Sequence, residues 1–172
     1  MSVSQSTQSR QERNKALVRR VIEEVWNGRN VEVLDQLFAP GGESAVPDRH
    51  RAGTERMKHW LRLYGALAPD LHVTIDQLLA EGDAVMVRWT ARGTHTGSVP
   101  GLSPADVLGQ VDGGFHLRLL STIHPDGRRL SFDGVSVFEI TSGGQVASFW
   151  ALLDEVEVLS QLGALPALGP TN

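Results

Sequence analysis

Apolar residues recur every three or four positions in the first part of the chain and at every second position later on. From Arg10 to Gly28 they form two adjacent rows, a pattern that predicts a helix ended by Gly28. Asn30 is a suitable N-cap for a short helix over Val31–Phe38, and Thr54 for a third helix. The sequence therefore predicts three helices before the first long strand.

The later part of the chain alternates between apolar and polar residues, as half-buried strands do. This pattern predicts strands over Leu71–Leu79, Ala84–Thr94, Phe132–Ile140 and Val146–Leu153. Ser142-Gly143-Gly144 supplies a tight turn between the last two. Helices followed by a run of antiparallel strands indicate an α+β fold, with the helices packed on one face of a curved sheet.

Composition narrows the class of protein. The chain has 172 residues, a net charge of −4 and no cysteine, which indicates a single domain and excludes disulfides and thiolate metal sites. We expect no nucleic-acid partner, no membrane segment and a cytoplasmic location, because basic clusters, long apolar runs and a signal peptide are absent from the sequence. The Ser- and Gln-rich residues 1–9 predict a disordered tail, residues 10–166 one domain, and residues 167–172 a second tail.

Several short segments resemble the SnoaL-like polyketide cyclases of the nuclear transport factor 2-like superfamily. The segments are WNGRN, LFAP, GTERMKHWL, FDGVSVFEI, SGGQV and LSQLGALP, in an order that runs from about Lys15 to Pro166. It is the order and spacing of these segments that carry the resemblance. The resemblance implies a cone-shaped α+β barrel, with a pocket between three N-terminal helices and the concave face of the sheet. It also implies a homodimer through the outer sheet face, where Val135, Val137 and Trp150 are expected.

One segment departs from the family pattern. Members usually pass almost directly from GTHTG to the strand that begins near GRR, whereas this chain carries an inserted segment over about residues 105–125. The insertion is interpreted as a lengthened hairpin at the barrel rim, since long loops more often decorate a fold than gate it. The alternative is a lid over the pocket or an arm exchanged between subunits.

The resemblance also indicates which residues face the pocket. Catalytic cyclases of the family carry a His and an Asp at the positions of Ser136 and Ala151, so the usual acid/base pair is missing here. The Tyr and two Asp residues of the ketosteroid isomerase branch match Val21, Val46 and Ser136 and are missing as well. The Asp-Arg-Asp relay of the epoxide hydrolase branch would have a member near Ala151.

What remains is a pocket predicted to be apolar and aromatic, a kind of site that suits a flat, hydrophobic ligand such as a polyketide intermediate. The simpler interpretation is that aromatic residues at such spacings belong to an ordinary core. The expected wall residues are Val21, Val25, Trp60, Tyr64, Trp89, Phe138, Phe149 and Ala151.

Six histidines are available as proton carriers. His95, in GTHTG, and His50, in a loop near the expected pocket mouth, are the leading candidates, although a lone histidine is more often structural. Ser136 or Tyr64 could polarise a carbonyl group. Asp154 is best interpreted as a helix cap. No histidine pair has metal-binding spacing, and we expect neither a metal nor another cofactor.

Three functions follow, in order of preference. The first is a cofactor-independent cyclase or isomerase of a hydrophobic, polyketide-like intermediate, whose catalysis depends mainly on the shape of the pocket. The second is a binding protein that carries or sequesters an apolar ligand. The third is a structural dimer module whose cavity is filled by its own side chains.

Overall fold

Helices occupy the first part of the chain and strands most of the rest. The computed structural model describes residues 3–40, 51–52, 54–97 and 124–163; most of the predicted insertion, His50, Val46 and the tail over residues 167–172 lie outside these ranges. The helices are α1 (Val3–Arg20), which continues as a π-helical turn (Val21–Asn27), a 3₁₀ turn (Val31–Val33) leading into α2 (Leu34–Leu37), α3 (Thr54–Leu67) and α4 (Glu155–Gln161). Among the described residues, no helix is long and apolar enough to cross a membrane.

The strands form one sheet in the order β1-β5-β4-β3-β2, in which every neighbouring pair is antiparallel. They are β1 (Arg51–Ala52), β2 (His72–Glu81), β3 (Ala84–Thr94), β4 (Arg129–Ile140) and β5 (Val146–Leu153). The four long strands confirm the prediction from alternation, and the α+β class is confirmed. The short strand β1, which pairs with β5, was not among the predicted strands.

The first helix begins earlier than the sequence predicts. It starts at Val3 instead of Arg10, so residues 3–9, which were predicted to be a disordered tail, belong to α1 in the structure. No glycine or proline interrupts these residues, and Arg13 Nη1 donates a hydrogen bond to Ser9 Oγ one turn earlier, at 2.7 Å. A segment rich in Ser and Gln is only a weak helix former, but nothing in it ends a helix.

The core lies between the helices and the concave face of the sheet. On β4 the even-numbered residues from Leu130 to Ile140 are buried, while the odd-numbered ones are more exposed. They pack against helix residues such as Val18, Leu34 and Leu67, each at most 1% exposed. The predicted division of β4 into an inner and an outer face is confirmed.

Asn27 attaches the π-helical turn to the edge of the sheet. Its Nδ2 donates to the carbonyl oxygen of Val73 at 3.0 Å, and Val73 N donates to Asn27 Oδ1 at 2.8 Å. Two residues later, the Arg29 guanidinium donates to the carbonyl oxygens of Ala68 and Pro69 just after α3, at 3.3 and 2.9 Å. These contacts join the π-helical turn to β2 and the residue after it to the segment that follows α3.

Candidate functional site

A small apolar cavity lies between the π-helical turn, α3 and the concave face of the sheet. Its volume is about 50 Å³, which is room for a few water molecules. The wall is formed by Ile22, Trp26, Tyr64, Leu71, Val73, Trp89, Ala91, Phe132, Ser136, Phe138, Phe149, Ala151 and Leu153.

Aromatic rings make up much of this wall, and they contact one another. Phe138 and Phe149 stack with their centroids 5.4 Å apart and an interplanar angle of 17°. Phe132 meets Tyr64 at 6.0 Å and the edge of Trp89 at 6.2 Å. Such surfaces favour a flat, apolar ligand over a polar one.

A buried polar contact in the cavity wall joins Trp89 to Ser136. Trp89 Nε1 donates a hydrogen bond to Ser136 Oγ at 3.0 Å, and the serine is 6% exposed. Ser136 lies directly opposite Ala151 in the β4–β5 register, and both residues line the cavity. These are the two positions that the family resemblance matched to a catalytic His and Asp. In this chain they bring one hydroxyl and one methyl group.

Gly134 allows the Trp89 ring to lie where it does. The two residues are directly opposite each other in the β3–β4 register. A Cβ at Gly134 would lie 2.2 Å from Trp89 Cζ2, closer than any non-bonded contact permits. The missing side chain therefore keeps the indole flat against β4 and its N–H directed at Ser136.

Most residues of the cavity wall are buried, and a few are partly exposed to solvent. Trp26, Ala151 and Leu153 are its partly exposed wall residues, whereas the others are buried. These three side chains therefore mark the mouth. Pockets for drug-sized ligands measure roughly 300–1,000 Å³, so a polycyclic ligand would have to displace wall side chains.

His95 is buried but does not line the cavity. Its backbone continues the β3–β4 pairing, with His95 N donating to Arg128 O at 2.8 Å. The ring is 0% exposed, and neither nitrogen has a hydrogen-bond partner among the described residues. Asp126 Oδ1 is 3.9 Å from Nδ1, too far for a hydrogen bond, and Asp126 is engaged by Arg128.

Burial therefore determines the protonation of His95. It lowers the pKa of the imidazole, and the opposing attraction of Asp126 is the smaller effect. The side chain is neutral near pH 7.

Some of the remaining predicted site residues line the cavity, and others lie outside the described part of the structure. Tyr64, Trp89, Phe138 and Phe149 line the cavity as expected, together with Ser136 and Ala151. The backbone of Trp60 belongs to α3, but its side chain lies outside the described part of the structure, as does the whole of His50.

Val21 and Val25 were predicted to line the pocket, but the structure places them elsewhere. Both are 0% exposed in the core, and neither is part of the cavity wall. The neighbouring row supplies Ile22 and Trp26 instead. Gly28 N donates to Glu23 O, five residues earlier, at 2.8 Å, and this wider turn differs from the α-helical spacing on which the prediction was based. Because both rows are apolar, the sequence held no signal to choose between them.

The described cavity wall contains no carboxylate, imidazole or ammonium group. Its hydroxyl groups belong to Ser136 and Tyr64. Among the described residues there is also no group of three His, Cys, Asp or Glu side chains placed to hold a metal ion. What this wall offers a ligand is shape, aromatic surface and a hydroxyl hydrogen bond.

Helices packed on a curved antiparallel sheet, with an apolar cavity between them, define the α+β cone of the nuclear transport factor 2-like superfamily. A sequence model of the SnoaL-like polyketide cyclase family matches residues 16–162. The chain belongs to this family, as its sequence motifs predicted. No curated protein matches it.

Solved structures with the same fold include several from Streptomyces. AclR of Streptomyces galilaeus, provisionally assigned as a hydroxylase, is 21% identical with a TM-score of 0.66, over 93% of this chain and 87% of AclR. TsrD of Streptomyces laurentii is 27% identical with a TM-score of 0.62, over 88% of this chain and 98% of TsrD. A provisionally assigned polyketide cyclase of Acidithiobacillus ferrooxidans is 22% identical with a TM-score of 0.62, over 95% of this chain and 98% of the other.

Proposed function

We propose that this protein is a cofactor-independent cyclase or isomerase of a hydrophobic, polyketide-like intermediate. The observation that carries the proposal is the aromatic cavity between the helices and the concave face of the sheet, with Ser136 and Ala151 side by side on its β4–β5 wall. Membership of the SnoaL-like family supports the substrate class.

The chemistry of the wall supports catalysis through shape. Holding a flexible chain in a folded conformation can by itself lower a cyclisation barrier by several kcal/mol, as the high effective molarities of well-oriented intramolecular reactions show. Proton transfer by the wall would depend on a residue that titrates near neutral pH, and Ser136 and Ala151 do not.

Ser136 is the proposed electrophilic anchor. Because its oxygen accepts the indole N–H of Trp89, its own hydrogen is directed elsewhere and can be donated to a carbonyl oxygen of the substrate. That hydrogen bond would polarise the carbonyl where negative charge develops during ring closure. Tyr64, across the cavity on α3, is the second hydroxyl of the wall and could perform the same role for another carbonyl.

The test is product analysis with a linear poly-β-carbonyl compound that cyclises slowly in water. We expect the protein to accelerate ring closure and to favour one product, measured by liquid chromatography with mass detection. Acceleration that persists in a Ser136→Ala, Tyr64→Phe double variant would indicate catalysis by shape, and its loss would indicate carbonyl polarisation. Absence of acceleration in the parent protein would contradict the proposed enzyme.

A non-catalytic binding protein is the second candidate. The observation in its favour is that the described wall lacks any group that titrates near neutral pH. Saturable binding of the linear compound or its cyclic product, without acceleration, would establish this alternative. Failure of both compounds to bind would contradict the two candidates together.

We also propose that the protein is a cytoplasmic homodimer joined through the outer face of the sheet. Two neighbouring cross-strand pairs, Val137–Trp150 and Val135–Leu152, form an apolar patch there, with Leu152 55% exposed. A second copy would cover this patch. Sedimentation analysis should give a dimer for the parent and a monomer for Leu152→Glu; a monomeric parent at micromolar concentration would overturn the dimer.

A further inference from the structure

A second concave site lies away from the cavity, between α1 and the turn that joins β4 to β5. It is a groove of about 270 Å³, lined by Arg10, Arg13, Asn14 and Leu17 on α1 and by the turn Thr141–Gly144. Neither the family chemistry nor the proposed function uses it. We call it the arginine groove.

The groove carries an excess of positive charge. Arg10 Nη1 is 3.2 Å from Asp83 Oδ1, so its charge is partly balanced. Arg13, one turn along the same helix face, donates to the neutral hydroxyl of Ser9 and makes no ion pair among the described residues. No carboxylate belongs to the lining, and one guanidinium charge therefore remains unbalanced.

Further unpaired donors surround the two arginines. Asn14 is 6% exposed, and its Nδ2 has no hydrogen-bond partner among the described residues. Asn14 belongs to the groove lining, so an unsatisfied side-chain N–H donor lies in the wall of the groove. In the turn, the amides of Thr141 and Gly144 are bonded within the hairpin, whereas those of Ser142 and Gly143 make no hydrogen bond among the described residues.

The glycines of the turn leave space beside these donors. A Cβ at Gly144 would meet no atom within 4 Å, and one at Gly143 would come only within 3.7 Å of Thr141 Oγ1. Planar guanidinium groups and unpaired amide hydrogens are the groups that proteins use to bind oxyanions. We propose that the arginine groove binds an oxyanion, a phosphate or carboxylate group of a small molecule.

The proposal is tested by calorimetric titration of the full chain with inorganic phosphate and with acetate, at constant ionic strength set by chloride. We expect one saturable site. Tighter binding of phosphate would indicate that the groove recognises a phosphate group, and tighter binding of acetate that it recognises a carboxylate. Arg13→Gln should weaken binding by at least about tenfold, because it removes charge-assisted hydrogen bonds. The matched control is Arg19→Gln, which removes an arginine of the same helix outside the groove and should leave binding unchanged.

Two results would overturn the proposal. One is the absence of saturable binding of either anion to a folded parent protein. The other is an equal loss of binding in Arg13→Gln and Arg19→Gln, which would mean that the anions respond only to the overall charge of the helix. Circular dichroism of both variants establishes that they are folded, and neither change touches the cavity.

Discussion

At the scale of single residues, the cavity depends on the absence of a side chain at Gly134. The Trp89 ring occupies the space that a Cβ would need. Gly134→Ala should lower the free energy of unfolding by about 1–3 kcal/mol, the usual cost of overpacking a core, and should shift tryptophan emission as the indole is displaced. Chemical denaturation measures the first effect and fluorescence the second.

The matched control for this change is Gly143→Ala, where the nearest atom to an added Cβ is Thr141 Oγ1 at 3.7 Å. It should alter stability by less than about 0.5 kcal/mol, as most surface substitutions do. Equal effects of the two substitutions would contradict the role given to Gly134.

His95 predicts a pH dependence of stability. Burial lowers the pKa of its imidazole in the folded chain, whereas the unfolded value is about 6.5. The native state therefore binds fewer protons, and this contribution to stability is complete above about pH 6.5 and is lost as the pH falls below it. His95→Leu should reduce the loss of stability between pH 7.5 and pH 5.5, measured by urea unfolding at each pH.

The matched control is His72→Gln, a substitution of an exposed histidine on β2. Equal effects of His95→Leu and His72→Gln on the pH dependence would contradict the role given to the burial of His95. Protonation of Asp70 and Asp126 does not contribute to the stability change in this pH range. Hydrogen bonds from Thr94 and from Arg128, respectively, lower the pKa of these carboxyls, so their stabilisation is lost only in more acidic solution. A His95→Leu variant with the parent's pH dependence would show that the imidazole does not titrate as described.

At the scale of the elements, Asn27 links the π-helical turn to β2 through two hydrogen bonds with Val73. Asn27→Ala should destabilise the fold by about 1–3 kcal/mol, because it leaves the N–H and C=O groups of Val73, a buried strand residue, without their partners. Denaturant unfolding measures the effect, with Gln77→Ala, an exposed change on the same strand, as the control. A loss of stability no larger than that of Gln77→Ala would contradict the role given to Asn27 in holding the π-helical turn against β2.

The strands could be predicted from the sequence, whereas the helical wall of the cavity could not. Alternation with a period of two assigns Ser136, Phe138 and Phe149 to the inner face, and pairing in the sheet leaves little freedom to change it. On α1 both candidate rows are apolar, and the π-helical turn alters their spacing. The hydrogen bond between Trp89 and Ser136 likewise depends on Gly134 in the neighbouring strand, a relation that only the register reveals.

For the whole molecule, the central claim is that the aromatic cavity admits a flat hydrophobic ligand. The chain has four tryptophans; Trp26 and Trp89 line the cavity, and Trp150 lies on the outer face of the sheet. Ligand entry should therefore quench the emission of the first two and leave that of Trp150 largely unchanged.

The measurement is a fluorescence titration of the parent protein and of the Trp26→Phe, Trp89→Phe and Trp150→Phe variants with anthraquinone. The account predicts saturable quenching in the parent that persists in Trp150→Phe and is reduced in both Trp26→Phe and Trp89→Phe. Quenching that does not saturate, or that disappears only in Trp150→Phe, would contradict ligand binding in the cavity.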